Sequence, residues 1–220
     1  MFKNFALRKF LVFNRIPIAI AFIAIGLLLG FKATWWIAWI PFLIAIIMVV
    51  AHFMVGPMTL LQTYMELGDM DGAAAMLKKV NRPNWLYKPL RSSYYMLRGQ
   101  LSATGDDLDA AERDFKQSLA AGMTEKGAEG TAYLQLGSIA AKKGNTKEAG
   151  EHLRQALKLG LPDKDSEAMA LLQLSNISLN RRDFRGAKMY FTRAKACKAK
   201  NAQVVEQLAE MGKYIARIPG

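Results

Sequence analysis

Two long apolar runs open the pattern of hydrophobic and polar positions along the chain. Residues 16–31 and 35–55 contain no Asp, Glu, Lys or Arg, and only residues 32–34 separate them. A helix needs about 20 residues to cross the apolar core of a bilayer, and the two runs are close to that length. Because the connection is short, the two helices must fold back on each other. The pattern predicts a transmembrane hairpin over residues 16–56, preceded by a basic segment, 1–15.

The distribution of charge gives this hairpin an orientation. All 18 acidic residues lie beyond it, whereas Lys3, Arg8, Lys9 and Arg15 lie before or at its first run. By the positive-inside rule, both termini and the rest of the chain face the cytoplasm. We therefore expect an integral protein of a bacterial inner membrane that contacts membrane lipids. One alternative is that the first run is a cleaved signal peptide, and another is that the hairpin enters one leaflet and returns.

Two glycines in the first run have the spacing of residues that allow close helix packing. Gly26 and Gly30 form a small-xxx-small pattern, which brings helix backbones together. One interpretation is a homo-oligomer formed through Gly26 and Gly30. The other is packing of the first predicted helix against the second within one chain.

Beyond residue 56 the apolar pattern changes to a repeat of 38 residues. An alanine returns at this spacing, and short polar residues suited to capping a helix precede it by four positions. Large apolar and then small residues follow the alanine by four and seven positions, as on the buried stripe of an amphipathic helix. A residue that tolerates the left-handed conformation ends three of the four helices. The columns are Asp69, Asp107, Asn145 and Asp183; Ala73, Ala111, Ala149 and Ala187; Leu77, Phe115, Leu153 and Phe191; Val80, Ser118, Ala156 and Ala194; and Asn84, Gly122, Gly160 and Lys198.

A second helix is predicted upstream of this stripe in each of the later copies. It covers residues 92–104, 131–143 and 167–180, with a small residue at Gly99, Gly137 and Ser175. The whole pattern resembles the tetratricopeptide repeat, although the usual period of that family is about 34 residues. The resemblance is carried by Tyr133, Leu136, Gly137, Gly144, Ala149, Leu153, Ala156, Leu171, Leu174, Asp183, Phe184, Ala187, Phe191 and Ala194.

The resemblance implies an all-α chain in which about four helix pairs, over residues 57–201, stack into an α-solenoid after the transmembrane hairpin. Residues 202–220 are predicted to form a capping helix and tail, with Val204, Leu208, Met211 and Ile215 on one face. The first helix of each pair lines the concave surface in this family, which implies a groove that binds a partner protein. The implied groove residues are Met96, Gln100, Leu134, Ser138, Lys142, Met169, Leu172, Asn176 and Asn180.

Charge adds a second candidate surface near the end of the chain. Residues 57–180 carry 15 basic and 15 acidic side chains, whereas residues 181–217 carry 10 basic and 3 acidic ones. An acidic protein and anionic lipid are both chemically suited to such a surface. Nucleic acid is not expected, because the basic segment lacks interleaved aromatic residues for base stacking. The predicted basic surface consists of Arg181, Arg182, Arg185 and Lys188.

The sequence contains no catalytic motif. It has no glycine-rich phosphate loop, no His or Cys pair at metal-ligand spacing and no nucleophile elbow. We therefore expect neither an enzyme nor a cofactor or metal site. The leading hypothesis is a membrane-anchored scaffold that binds a protein through its repeat groove. The alternative is a constitutive subunit of a membrane complex that assembles through the hairpin.

Overall fold

The computed structural model describes residues 9–32, 35–55, 58, 60–61, 64, 67–80 and 82–217 of the 220-residue chain. The described residues form α-helices with a single 3₁₀ turn, so the predicted all-α class is confirmed. The chain forms two compact units, Met1–Tyr94 and Tyr95–Gly220. The helices are α1 (Arg15–Lys32), α2 (Trp35–Val55), α3 (Met70–Lys78), α4 (Lys88–Thr104), α5 (Leu108–Ala121), α6 (Ala128–Lys142), α7 (Thr146–Leu159), α8 (Lys164–Asn180), α9 (Phe184–Ala196) and α10 (Ala202–Ile215).

Helices α1 and α2 pack against each other in the first unit, as a hairpin. The guanidinium of Arg15 donates a hydrogen bond of 3.0 Å to the carbonyl of Ala51 and so ties the start of α1 to the end of α2. A Cβ on Gly26 would lie 3.0 Å from the ring of Phe42. This glycine therefore serves the close contact inside the hairpin, and the structure offers no support for a homo-oligomer through Gly26 and Gly30.

The prediction of an integral membrane protein is wrong. Within the described ranges, no helix combines the length and the apolar character that a membrane crossing demands. Helix α1 has 18 residues, but Arg15 and Lys32 occupy its ends, so its uncharged stretch stays below the required length of about 20 residues. Most of the predicted basic segment, 1–15, lies outside the described residues.

Apart from the start of α4, helices α4 to α10 lie in the second unit, whereas α3 lies in the first. Helices α3 to α9 follow the 38-residue period that the sequence predicts. We number the copies by their second helix: α3 belongs to copy one, α5 to copy two, α7 to copy three and α9 to copy four. Helices α4, α6 and α8 are the first helices of copies two to four, and α10 follows as the predicted capping helix. The region expected to hold the first helix of copy one, including the predicted joint at residues 56 and 57, lies largely outside the described residues.

The predicted N-caps of the four second helices are confirmed. In each copy, a carboxylate or amide oxygen accepts a hydrogen bond from the backbone N–H three residues later. The residue before each cap has a positive φ, between 58° and 79°. Glycine adopts this conformation readily, whereas other residues adopt it at a cost. The caps are Asp69, Asp107, Asn145 and Asp183, and the residues before them are Gly68, Asp106, Gly144 and Arg182.

The predicted C-terminal caps are confirmed for two copies. Gly122 and Gly160 end α5 and α7 with positive φ. Asn84, by contrast, lies inside the 3₁₀ helix Pro83–Trp85. Lys198, after α9, has a φ of 54°, a left-handed conformation that its residue type did not predict.

The core of the second unit lies between the paired helices, where the recurring columns meet. The recurring alanines of copies two to four are fully buried, as are Phe115 and Leu153 four positions later. The small residues of the first helices face them: a Cβ on Gly137 would lie 2.7 Å from the side chain of Leu153. The predicted apolar face of α10 packs on the last pair, with Val204 and Met211 buried there.

Candidate partner-binding groove

Helices α8 and α10 lie side by side and run in the same direction. At their first turns, Oδ1 of Asp165 accepts hydrogen bonds from the backbone N–H groups of Lys200, at 2.5 Å, and Asn201, at 3.0 Å. Further along, Oγ of Ser175 lies 3.5 Å from the sulfur of Met211. These contacts fix both the register and the direction of α10 against α8.

A groove of about 800 Å³ lies along α8 and α10 and includes the first residue of α9. Apolar side chains and side-chain amides line it, with Glu210 as its acidic residue. Two of its aromatic residues are strongly exposed for their type, since Tyr214 is 67% and Phe184 43% accessible. The lining residues are Met169, Leu172, Gln173, Asn176, Leu179, Asn180, Phe184, Gln203, Gln207, Glu210, Met211 and Tyr214.

Four of the nine groove residues implied by the sequence line this groove. Met169, Leu172, Asn176 and Asn180 lie on one side of α8, at helical spacing. Leu172 is nearly buried and forms part of the floor, whereas the amides of Asn176 and Asn180 are exposed.

The other five implied residues lie on α4 and α6, outside this groove. Leu134 is buried in the core of copy three, so here the expectation of a free contact surface fails because the side chain fills the space between helices. Ser138 exchanges a hydrogen bond with Gln173, Lys142 is exposed near the end of α6, and Met96 packs against the core of copy two. Gln100 is half-buried on α4.

The contribution of α10 to the groove was missed from the sequence. Gln203, Gln207, Glu210 and Tyr214 form a stripe at spacings of four, three and four residues, which is the period of a helix face. The prediction of α10 as a cap rests on its apolar face, which lies opposite this stripe. The polar and aromatic stripe is the signal that could have identified the second wall.

The predicted basic surface begins at the groove's end. Arg181, Arg182 and Arg185 are exposed, and no ion pair involves them within the part of the chain that the structure describes. Lys188 lies one turn further along α9 and is half-buried. Three exposed guanidinium groups without acidic partners produce a positive potential at this position.

Some other charges of the second unit are paired. Lys143, in the turn after α6, donates to Asp109 at 2.5 Å and to Glu112 at 2.6 Å on α5, and so links copies two and three. Hydrogen bonds from Lys116 and Lys143 lower the pKa of Glu112 to about 2. Burial raises the pKa of the Cys197 thiol, whose sulfur donates to the carbonyl of Arg193 outside the groove.

Comparison with known families identifies one of the copies. A family model described as tetratricopeptide repeat matches residues 130–159, which cover α6 and α7 almost completely. The third copy is thus similar to a tetratricopeptide repeat. Because copies two and four share the N-cap of its second helix, its period and its core columns, the helical solenoid of the second unit is built on the same repeat plan. Repeats of this type stack into extended surfaces that bind other proteins.

A comparison with solved structures supports the same fold. A chain described as "Functional Characterization of Pseudomonas Aeruginosa pilF" aligns with a TM-score of 0.56 over 92% of this chain and 86% of that chain. The two sequences are 14% identical, so the likeness concerns the fold. None of the curated proteins matches this chain in sequence.

Proposed function

We propose that this tetratricopeptide-repeat chain is a scaffold that binds a segment of another protein in the groove between α8 and α10. The observation that carries the proposal is the groove itself, which combines an apolar floor, exposed aromatic side chains and several amides. Its volume of about 800 Å³ falls in the range of specific ligand sites in proteins, about 300–1,000 Å³. The proposed role is binding, and it includes no catalytic residue.

The side chains of the groove match the two kinds of contact that a bound protein segment needs. Met169 and Leu172 offer apolar surface to the side chains of the segment, and methionine adapts to different shapes. The amides of Gln173, Asn176 and Asn180 carry donors and acceptors that can pair with an extended backbone. Exposed aromatic residues such as Tyr214 are typical of the residues that dominate binding energy at interfaces.

Site-specific photocrosslinking in cells that produce this chain tests the proposal. p-Benzoylphenylalanine in place of Asn176 lies in the groove, whereas the same group in place of the exposed Lys158 on α7 serves as control. We expect a covalent adduct of defined mass from position 176 and none from position 158. Equal adducts from both positions would contradict a specific groove.

A second substitution connects the adduct to the groove surface. Tyr214→Ala removes an exposed aromatic side chain, so we expect the fold to remain intact and the adduct yield to fall about tenfold or more. Val205→Ala is the matched control, because Val205 is also an exposed apolar residue on α10 but does not line the groove. An adduct that is insensitive to Tyr214→Ala would exclude this groove as the binding site.

A further inference from the structure

The turn between α8 and α9 places unpaired positive charge at the rim of the groove. Asn180 and Phe184 both line the groove, and Arg181, Arg182 and the helix cap Asp183 lie between them in the chain. Consecutive Cα atoms are about 3.8 Å apart, so each arginine is attached within two residues of a lining residue. Arg185 directly follows Phe184, and all three arginines are exposed.

The opposite end of the groove has acidic residues, but these already have partners. Asp163 caps α8 by accepting from the backbone N–H of Ser166 at 2.7 Å, and Asp165 accepts from the backbone of Lys200 and Asn201. Glu167 forms an ion pair with Lys164 at 2.7 Å. The negative charge at the beginning of α8 is therefore used inside the molecule, whereas the positive charge at its end is not.

The parallel course of the two helices strengthens this difference between the ends. Since α8 and α10 run in the same direction, Lys213 and Arg217 lie towards the same end as the arginines of the turn. Glu210 and the helix cap Asp183 reduce the positive charge there but do not balance it. An acidic ligand end would meet several cations at this position, and such complementarity favours both fast association and a single orientation.

The backbone of Arg182 adds a separate observation. Its φ is 60°, at the position where copies one and three have Gly68 and Gly144 and copy two has Asp106. A residue with a side chain is disfavoured in this conformation relative to glycine.

We propose that the groove binds a protein segment whose apolar side chains are followed at one end by two or more acidic side chains, and that this acidic end contacts Arg181, Arg182 and Arg185. This inference rests on the proposed function and specifies its ligand. Apolar residues of the segment occupy the floor formed by Met169 and Leu172, and the arginines determine which way the segment lies.

Selection of random 12-residue peptides displayed on phage, with the intact chain as target, tests the proposal. We expect the recovered peptides to contain at least two Asp or Glu residues beside an apolar pair. The best peptide, labelled with fluorescein, is then titrated with the intact chain and its variants by anisotropy. Its affinity should fall steeply as the salt concentration rises, because the contacts to the arginines are exposed to solvent.

Three variants separate the role of the arginines from the effect of net charge. The triple change Arg181→Glu, Arg182→Glu and Arg185→Glu should weaken binding of the acidic peptide by about thirtyfold or more. The charge-matched control changes three exposed bases of α7, Lys147→Glu, Arg154→Glu and Lys158→Glu, and should weaken it by less than about threefold. Equal losses in the two triple variants would overturn the proposal.

Arg182→Gly gives the sharpest single test, because it should move two measurements in opposite directions. Removing the side chain relieves the left-handed backbone, so the urea midpoint should rise, while affinity for the acidic peptide should fall about threefold to tenfold. A variant with unchanged affinity would contradict a ligand contact of Arg182.

The remaining outcomes distinguish this inference from the proposed function. If the recovered peptides lack acidic residues but lose affinity for the Tyr214→Ala chain, the groove is the binding site and the proposed acidic end of the ligand is wrong. Peptides that bind equally well to the Tyr214→Ala chain, or the recovery of none, would overturn the groove itself. A fluorescein-labelled oligothymidylate that binds as tightly as the acidic peptide would show a general polyanion surface and reject the proposal.

Discussion

Copies three and four carry different residues at four equivalent positions, each 38 residues apart. Copy three has glycine at 130, 137, 144 and 160, and copy four has Ala168, Ser175, Arg182 and Lys198. Both copies nevertheless cap their second helix at the equivalent residues Asn145 and Asp183, and their helix bounds correspond closely. The helix-pair plan therefore depends on this shared cap and on the core columns. Of the variable positions, 130 and 137 lie at close contacts, whereas 144 and 160 have open space around them.

The glycines of copy three permit contacts that a side chain would prevent. A Cβ on Gly130 would lie 2.0 Å from the carbonyl oxygen of Gly160, and one on Gly137 would lie 2.7 Å from Leu153. In copy four, Ser175 instead donates a hydrogen bond of 2.9 Å to the carbonyl of Ala187. The close helix contacts of copy three thus require glycines without side chains. Copy four instead has an added hydrogen bond and two non-glycine residues with positive φ.

The largest effect is expected from Gly130→Ala. Its new methyl group would meet a backbone carbonyl, which cannot rotate away as a side chain can, so α6 and the end of α7 must separate. We expect a loss of about 3 kcal/mol in the free energy of unfolding, at the upper end of overpacking effects. Urea unfolding followed by far-UV circular dichroism measures it.

The matched change in copy four is Ala168→Gly, which removes a buried methyl group and introduces a helix glycine. It should cost about 1 kcal/mol. Equal losses for Gly130→Ala and Ala168→Gly would show that the close approach in copy three is not rigid and would remove the main contrast between the copies.

Gly137→Ala should have the second largest effect, a loss of about 2 kcal/mol, because the methyl group would press against the side chain of Leu153. Leu153 can shift in part, which makes the effect smaller than at Gly130. Gly99→Ala, the equivalent change in copy two, should cost about 1 kcal/mol, since the nearest atom of Phe115 is 3.1 Å away.

A double-mutant cycle tests this explanation for Gly137. If the Leu153 side chain causes the loss, Gly137→Ala should cost much less in a Leu153→Ala background than in the wild type. Additive losses in the unfolding free energy would place the strain elsewhere.

Ser175→Ala should cost about 1 kcal/mol, the typical value of one buried hydrogen bond. The loss should be modest because the carbonyl of Ala187 belongs to α9, and the exchanged side chains are close in size. Native-state hydrogen exchange of α8 and α9 measures the effect locally. Ser138→Ala on α6 is the control. If Ser175→Ala left the stability unchanged while Ser138→Ala lowered it, the hydrogen bond from Ser175 to Ala187 would not stabilise copy four.

The repeat plan was predictable because its signals are local. The caps Asp69, Asp107, Asn145 and Asp183 each act on a backbone N–H three residues away, so the sequence alone defined where four helices begin. The buried alanines followed from helical spacing in the same way. The helix bounds of the last two copies agree with the prediction to within a few residues.

The groove was less predictable because it depends on contacts between distant segments. Spacing placed Met169, Leu172, Asn176 and Asn180 on one face of α8, but only the packing of α10 determines what lies opposite them. Leu134, the equivalent of Leu172 in copy three, is just as buried but lies in the core of copy three and outside the groove. The membrane prediction is wrong, because no helix in the described ranges has the length and apolar character of a membrane crossing; α1, for example, has Arg15 and Lys32 at its ends.

The smallest effect concerns Lys198, which ends α9 with a φ of 54° where copy three has Gly160. Lys198→Gly should stabilise the chain by about 0.5–1 kcal/mol, because glycine adopts a positive φ without the steric cost of a Cβ, although it gains entropy in the unfolded state. The same substitution three residues earlier, Lys195→Gly, lies inside α9 and should destabilise by about 1 kcal/mol. A higher urea midpoint for Lys198→Gly and a lower one for Lys195→Gly would show that the positive φ of Lys198 costs stability in copy four. Copy three avoids this cost because it has Gly160 at the equivalent position. If both variants lost stability, the left-handed end of α9 would not limit copy four, and the difference between the copies would lie in their helix contacts alone.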